Sequence, residues 1–452
     1  MPLEYSAVFN YADYFQRCSV FLEEHRWIFE HSNTKFVQAG VLDALLDRTW
    51  VEDFKSAANE ELNQIPLGYV NEAWSEGFRQ FLRMAESLSV KYEQKDSSGG
   101  KGGTLKGVSP KKLYEIENLT AVIGDVCVES EVLLDFGSGL GYLSQNLHLK
   151  HNFRVLGLEG DSYRVQAAQQ RQSKLFPEST ENVKYVQHFI EEDSLELIQN
   201  ILAVEFTEPH PATYAIVGLH ACADLSITAI KMFLSNDSIT SLVIMSCCYH
   251  KLIPQDESCT KFINIPISSQ LKEVLKDVEQ FLGRPFLRLG CQQTSARWKT
   301  MTSEQHAAHG QAMFERSLVE ALVGAGQSVT ANKDKSRNGS RNLLDRYQLC
   351  DVADSRCCKP WTDEHWRKID ELRSKYTDGG QLSEYLTCLQ TCLQSICENL
   401  ILLDRMCYIE TEAALKGVNV RSNLVKLAND NLSPRCFVII AEKTKKLQLS
   451  SI

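Results

Sequence analysis

Two groups of residues in this sequence have the types and spacing to do chemistry. The first is Asp135-Phe136-Gly137-Ser138-Gly139-Leu140-Gly141-Tyr142, which follows an apolar run and precedes a helical pattern. Glycines at a strand-to-helix turn let the backbone bend tightly and approach a ligand closely. An acid at the end of the following strand can then bind ribose hydroxyls, and Glu159 stands at that place. A dinucleotide turn needs Gly-x-Gly-x-x-Gly, its third glycine admitting close helix packing beneath a pyrophosphate. Here that third place is Tyr142 and the pattern is Gly-x-Gly-x-Gly. The order of strand, glycines, helix, strand and acid therefore favours a nucleoside-containing ligand other than a dinucleotide over a purely structural turn.

The second group is His220-Ala221-Cys222-Ala223-Asp224 together with Cys247-Cys248-Tyr249-His250. Each follows an apolar run, at the carboxyl end of a predicted strand, where open α/β sheets place their chemistry. Three readings are open. His220, Cys222, Cys247, Cys248 and His250 could form a metal site of sulfur and imidazole donors suited to zinc, although the C-x-x-C hairpin of common structural sites is missing. A cysteine made nucleophilic by His220 or His250 is a second reading. In the third, small and hydrogen-bonding side chains shape a pocket in which Tyr249, His220 and Asp224 orient an acceptor.

These residues need a scaffold, and the apolar runs supply one. Segments 131–136, 154–159, 183–188, 213–219 and 241–246 alternate with stretches of helical length and pattern. That alternation predicts a doubly wound, mostly parallel α/β sheet. Segments 401–410 and 435–443 read as two further strands, for seven in all. The first ninety or so residues show helical spacing, as in Val37, Val41, Leu42, Leu45 and Leu46, with Trp27, Trp50 and Trp74 as core anchors. Residues 94–107 and 324–341 are rich in Gly, Ser and Lys, with nothing to bury, and read as solvated linker and loop.

Composition limits the class. With 452 residues, 43% hydrophobic and 23% charged, the chain fits a globular protein rather than a collagenous, disordered or membrane-embedded one. A net charge of −10 makes the whole molecule a poor electrostatic match for nucleic acid or an anionic membrane, and leaves only a local basic stretch, Lys101, Lys106, Lys111 and Lys112, to meet phosphates. Fifteen cysteines, an odd number, in a large chain without an export signal argue for reduced thiols. Cys388 and Cys392, and the Cys357-Cys358 pair, read as structural. The expected compartment is intracellular, cytoplasmic or nuclear.

The glycine loop preceded by Asp135 resembles the first motif of class I S-adenosylmethionine-dependent methyltransferases. A more specific likeness lies in Val108-Ser109-Pro110-Lys111-Lys112, DFGSGLGYLS, GLHACADLS, SCCYHKL, the segment from Leu289-Gly290-Cys291-Gln292 to Arg297-Trp298, and Leu432-Ser433-Pro434-Arg435. Together these resemble the methyltransferase-like protein 25 family, which includes proteins named as ribosomal-RNA-adenine-dimethylase-domain-containing. The resemblance covers roughly residues 108–443. It implies a class I sheet ending in an antiparallel pair and methyl transfer from S-adenosyl-L-methionine to an acceptor, RNA or protein. It also implies cofactor contacts at Asp135, Gly137, Ser138, Gly139, Gly141, Glu159, His188, Phe189 and Gly218. Catalytic roles fall on His220, Cys222, Asp224, Tyr249 and His250. Tyr114 departs from the pattern, where the family is expected to carry histidine. No Asp/Asn-Pro-Pro-Tyr motif follows the fourth strand, so the usual pocket for exocyclic amino groups is missing. The implied organisation is a helical domain at 1–93, a linker at 94–107 and a methyltransferase domain at 108–446 with an insertion at 299–400. A catalytically inactive scaffold of the same fold and a zinc-dependent binding module are the alternatives.

Overall fold

A computed structural model describes residues 2–6, 9–95, 107–206, 211–292, 295–332, 342–353, 358–427 and 436–444. Its strands in chain order are β1 (Leu3–Glu4), β2 (Val90–Lys91), β3 (Glu93–Lys95), β4 (Val132–Phe136), β5 (Arg154–Glu159), β6 (Val183–Gln187), β7 (Tyr214–Leu219), β8 (Ile239–Met245), β9 (Gln327–Ala331), β10 (Tyr347–Asp351), β11 (Cys358–Lys359), β12 (Val420–Leu427) and β13 (Phe437–Lys443). The chain divides into two compact units. One comprises residues 1–19, 88–294 and 397–452, the other 20–87 and 295–396.

The first unit is built on an eight-stranded sheet of order β3-β12-β13-β8-β7-β4-β5-β6. Strands β8, β7, β4, β5 and β6 are parallel, whereas β13 runs antiparallel to both β8 and β12. This is the doubly wound class I sheet closed by an antiparallel pair that the sequence resemblance implied. Every residue of β4 is buried, as expected of a central parallel strand covered by helices on both faces. On one face Leu133, Val155, Val183, Val217 and Val243 pack with Leu119, Val122 and Ile123 of helix Pro110–Val126 and with Leu143 and Leu147 of helix Tyr142–His151.

Three expectations are corrected. Segment 401–410 is not a strand but part of the helix Gly379–Leu415; the strand that partners β13 is β12. The apolar run misleads because this stretch is enclosed on all sides. Ile401, Leu402, Leu403, Met406 and Cys407 are all buried, which erases the polar face that would reveal a 3.6-residue period. The sheet also holds one strand more than the seven expected, because β3, at the start of the expected linker, pairs parallel with β12. Residues 96–106 of that linker, including Lys101 and Lys106, lie outside the described residues, as do 333–341 of the second loop.

The third correction concerns the division of the chain. The segment 20–87 and the insertion 295–396 form one unit instead of a separate N-terminal domain and an appendage. Their apolar faces cover each other: Phe54 stacks on Tyr385 with ring centroids 4.5 Å apart, and the Val37 amide donates to Ser317 Oγ at 3.0 Å. Inside this unit the buried Glu384 carboxylate is held by His306 Nδ1 at 2.5 Å and His309 Nδ1 at 2.6 Å, with Asn63 Oδ1 on the far nitrogen of His306 at 2.8 Å. Strands β9, β10 and β11 form its small antiparallel sheet. Helix Gly379–Leu415 is, among the described residues, the one helix long and apolar enough to cross a bilayer. Since 78% of its most apolar window is buried inside the protein, it is a core helix.

Candidate active site at the carboxyl ends of the parallel strands

The glycine loop leaves β4 and enters the helix Tyr142–His151. Gly137, Gly139 and Gly141 all have positive φ, at 73°, 57° and 71°, a region that side chains other than glycine enter at a cost. Gly141 is doubly constrained, because a Cβ there would lie 2.3 Å from Tyr185 Oη. Tyr185, on β6, lies beneath the loop and donates to the Gly141 carbonyl at 3.1 Å. Below the turn, Asp135 is fully buried and its Oδ2 accepts from Ser144 Oγ at 2.5 Å, tying the end of β4 to the first turn of the helix. Burial pushes the Asp135 carboxyl up to about 6, against the hydrogen bond from Ser144. Of the residues expected to contact a cofactor, Asp135 is thus the one that supports the loop from within.

Glu159 ends β5, adjacent to β4 in register Phe136↔Leu158. Its Oε2 accepts from the Gly139 amide at 3.0 Å and its Oε1 from the Asp161 amide at 3.1 Å. The acid and the glycine loop are therefore one hydrogen-bonded unit. Two buried polar atoms beside it, Ser138 Oγ and His188 Nε2, have no hydrogen-bond partner. Buried polar atoms left unpaired cost stability and call for an explanation; here a ligand carrying its own polar groups would supply the partners. Phe189, next in sequence, is 75% exposed, and an exposed phenyl ring suits stacking against a flat base. Gly218, on β7, is packed so closely that a Cβ would lie 3.1 Å from the Phe136 carbonyl oxygen, so its lack of a side chain lets the strand ends approach.

Strands β7 and β8 pair with Leu219 opposite Met245, which starts the histidine- and cysteine-bearing loops side by side. The turn after β7 carries two non-glycine residues at positive φ, His220 at 62° and Ala223 at 52°; such strain persists where surrounding contacts enforce it and clusters at functional sites. His220 Nε2 lies 3.0 Å from Glu115 Oε2, a buried carboxylate on the helix Pro110–Val126, while His220 Nδ1 is buried and unpartnered. Cys222 Sγ lies 3.0 Å from Cys247 Sγ, which in turn is 3.4 Å from Cys248 Sγ. The contact from Cys247 holds the Cys222 thiol below its ordinary value and pushes Cys247 up.

The other residues of this group go elsewhere. His250 Nδ1 meets Cys291 Sγ at 3.1 Å. Asp224 accepts from the Ile253 amide at 2.9 Å and Asn264 Nδ2 at 2.7 Å, so it fastens the loop after β8. Tyr249 is fully buried and donates to Glu398 Oε1 at 3.1 Å. Of the five residues that could have formed one metal cluster, three thiols converge and the two histidines do not join them. The sequence reading also missed several participants. Glu115 could have been found as a charge on the apolar stripe shared with Leu119 and Val122, and Glu398 and Arg405 as charges inside an apolar helix. Tyr185 carries no such signal.

Residues 111–255 match a family model described as a methyltransferase domain. Over 245 residues, 51% of this chain, the sequence is 26% identical to the human probable methyltransferase-like protein 25, and over 238 residues, 50% of this chain, it is 26% identical to the mouse protein of that name. The matched stretch spans 37% of the length of each of these relatives. Among solved structures, the chain is similar to an RNA methyltransferase from Salinibacter ruber in complex with S-adenosyl-L-homocysteine (16% identity, 33% of this chain and 84% of that one, TM-score 0.21). It is also similar to the methyltransferase domain of bacterial CtHen1-C (10% identity, 72% of this chain and 95% of that one, TM-score 0.27). Residues 111–255 are thus similar to a methyltransferase domain, and the class I architecture follows from the strand order of the chain itself.

Proposed function

We propose that this protein is an S-adenosyl-L-methionine-dependent methyltransferase with an RNA or protein acceptor. The observation that carries the reading is the joined unit of glycine loop and acid, in which Glu159 accepts from the Gly139 amide at the ends of two adjacent parallel strands. The loop Gly137–Gly141 would hold the amino-acid portion of the cofactor, and Glu159 the ribose hydroxyls. His188, whose Nε2 lacks a partner, and Phe189 would border the adenine. When bound, the cofactor supplies a methyl group on a sulfonium, transferred by in-line displacement that needs mainly alignment and at most a base.

The protein's own part is to hold and screen the acceptor. His220, fixed by Glu115 on one ring nitrogen, presents the other for a proton or an acceptor hydrogen. Gly218 keeps the floor of the site free of side-chain bulk. Two of the four lysines read as a basic stretch are already engaged: Lys111 lies 3.8 Å from Glu115, and Lys112 sits over the Tyr142 ring at 4.5 Å. Calorimetric titration with S-adenosyl-L-methionine and S-adenosyl-L-homocysteine tests cofactor use. Folded protein that releases no heat at tens of micromolar ligand, a range of affinity typical for such cofactors, would refute it. Labelled cofactor incubated with cell extract, followed by separation of RNA from protein, identifies the acceptor class.

A further inference from the structure

The thiol group beside the proposed cofactor site is left unused by the methyl-transfer reading. Cys222 comes from the turn after β7, and Cys247 and Cys248 from the residues directly after β8, so two loops bring three sulfurs to one point. All three Sγ atoms lie within 4.8 Å of one another, and none is in a disulfide. Buried cysteines that act as small hydrophobes, such as Cys127 and Cys436 in the sheet core, pack against aliphatic side chains. Three sulfurs facing one another are instead a soft donor set that suits a thiophilic ion.

The surroundings fit the charge of such a centre. Three thiolates around a dication carry a net negative charge. Arg405 is 2% exposed, donates through Nη1 to Ser246 Oγ at 2.8 Å, next to Cys247 in sequence, and has a buried Nη2 without a hydrogen-bond partner. A buried guanidinium is costly unless negative charge faces it; Tyr249, Asp404 and Asp224 already act on Arg405, and thiolates at Cys247 and its neighbours would add to that charge. The donor count is informative too. Neither His220 nor His250 brings a ring nitrogen into the group, so among the described residues three protein ligands converge there. Zinc held by three protein ligands keeps its fourth position for water or a substrate atom, whereas closed structural sites use four.

We propose that Cys222, Cys247 and Cys248 bind one zinc ion as thiolates, with the fourth coordination position left to water or an acceptor atom. On binding, the three thiols release their protons to solvent and three sulfur–zinc bonds form, with no change of oxidation state. A zinc ion with an open position lowers the pKa of what it binds, so the site would hold an acceptor atom in its deprotonated form. The metal site does not rest on the methyl-transfer reading, because it is measured without turnover.

The test uses the full chain purified under reducing conditions, with zinc measured by elemental mass spectrometry and the metal-stripped protein titrated with Co2+. About one equivalent of metal and a thiolate-to-cobalt charge-transfer band are expected for the unaltered protein and for Cys358→Ser, whose thiol lies outside the group. Cys222→Ser and Cys248→Ser should lose the band and most of the zinc. Where a variant fails to fold by circular dichroism, alkylation of the unaltered protein decides: zinc should protect Cys222, Cys247 and Cys248 from iodoacetamide, and a chelator should remove that protection. Folded protein that gives no cobalt band, a band that survives in both variants, or alkylation indifferent to zinc would each overturn the proposal.

Discussion

The two halves of the candidate site are made in different ways. On the cofactor side, a contiguous loop with three glycines at positive φ and one acid from the neighbouring strand form a unit held by backbone amides. On the thiol side, side chains leaving two strands meet partners from remote parts of the chain: Glu115 for His220, Glu398 for Tyr249, Cys291 for His250. Backbone recognition needs only a local conformation, which glycine spacing encodes. Side-chain recognition needs several elements in place at once.

This contrast can be broken by experiment. The largest effect is expected from Gly139→Arg, which forces a side chain into a φ of 57° inside the loop. Calorimetry should show cofactor affinity falling by roughly 100-fold or more, with the melting transition retained, in keeping with strain of a few kcal/mol at a ligand-contacting backbone. Next is the buried Asp135. Its folded pKa of about 6 lies above the ordinary carboxylate value, so its contribution to stability is complete below about pH 4 and is lost as pH rises through about 6. Chemical denaturation across that window should show the unaltered protein losing on the order of 3 kcal/mol relative to Asp135→Asn, which lacks this titration. Parallel curves for the two proteins would remove the buried acid from the account.

Tyr249→Phe tests the thiol side. It leaves Glu398, a buried carboxylate, without its 3.1 Å donor, and a loss of about 2 kcal/mol in denaturant stability is expected with cofactor affinity unchanged. A fall in cofactor affinity instead would join the two halves that the comparison separates. The smallest effect is assigned to Glu159→Ala. It removes the ribose contact and the bond to the Gly139 amide, and should weaken cofactor binding about tenfold, the scale of a hydrogen bond to a charged group.

How much of this was legible in the sequence follows the same division. The five parallel strands stand where their apolar runs and intervening helices placed them, within two residues at their ends. Glu159 lies against the glycine loop because one βαβ step carries both. The penultimate strand was misread, since a helix enclosed on every side shows no polar face and its apolar residues then resemble those of a buried strand. Asp135 reads as a ligand residue by position, yet its carboxylate is turned to Ser144, a fact that depends on how the following helix packs. The union of 20–87 with 295–396 was equally hidden, because an apolar stripe shows that a face is covered without showing by what.

The sequence by itself determined the doubly wound sheet, the glycine turn and the acid beside it, because each follows from periodicity or backbone freedom over short spans. Only the tertiary structure decided which of His220, Cys222, Cys247, Cys248 and His250 share a centre. The pairing of β7 with β8 brings three thiols together, while Glu115 and Cys291 hold the two histidines by their ring nitrogens. The physical reason is range: a φ angle is fixed within one residue, whereas a side chain's partner is chosen by whichever distant element the fold packs against it.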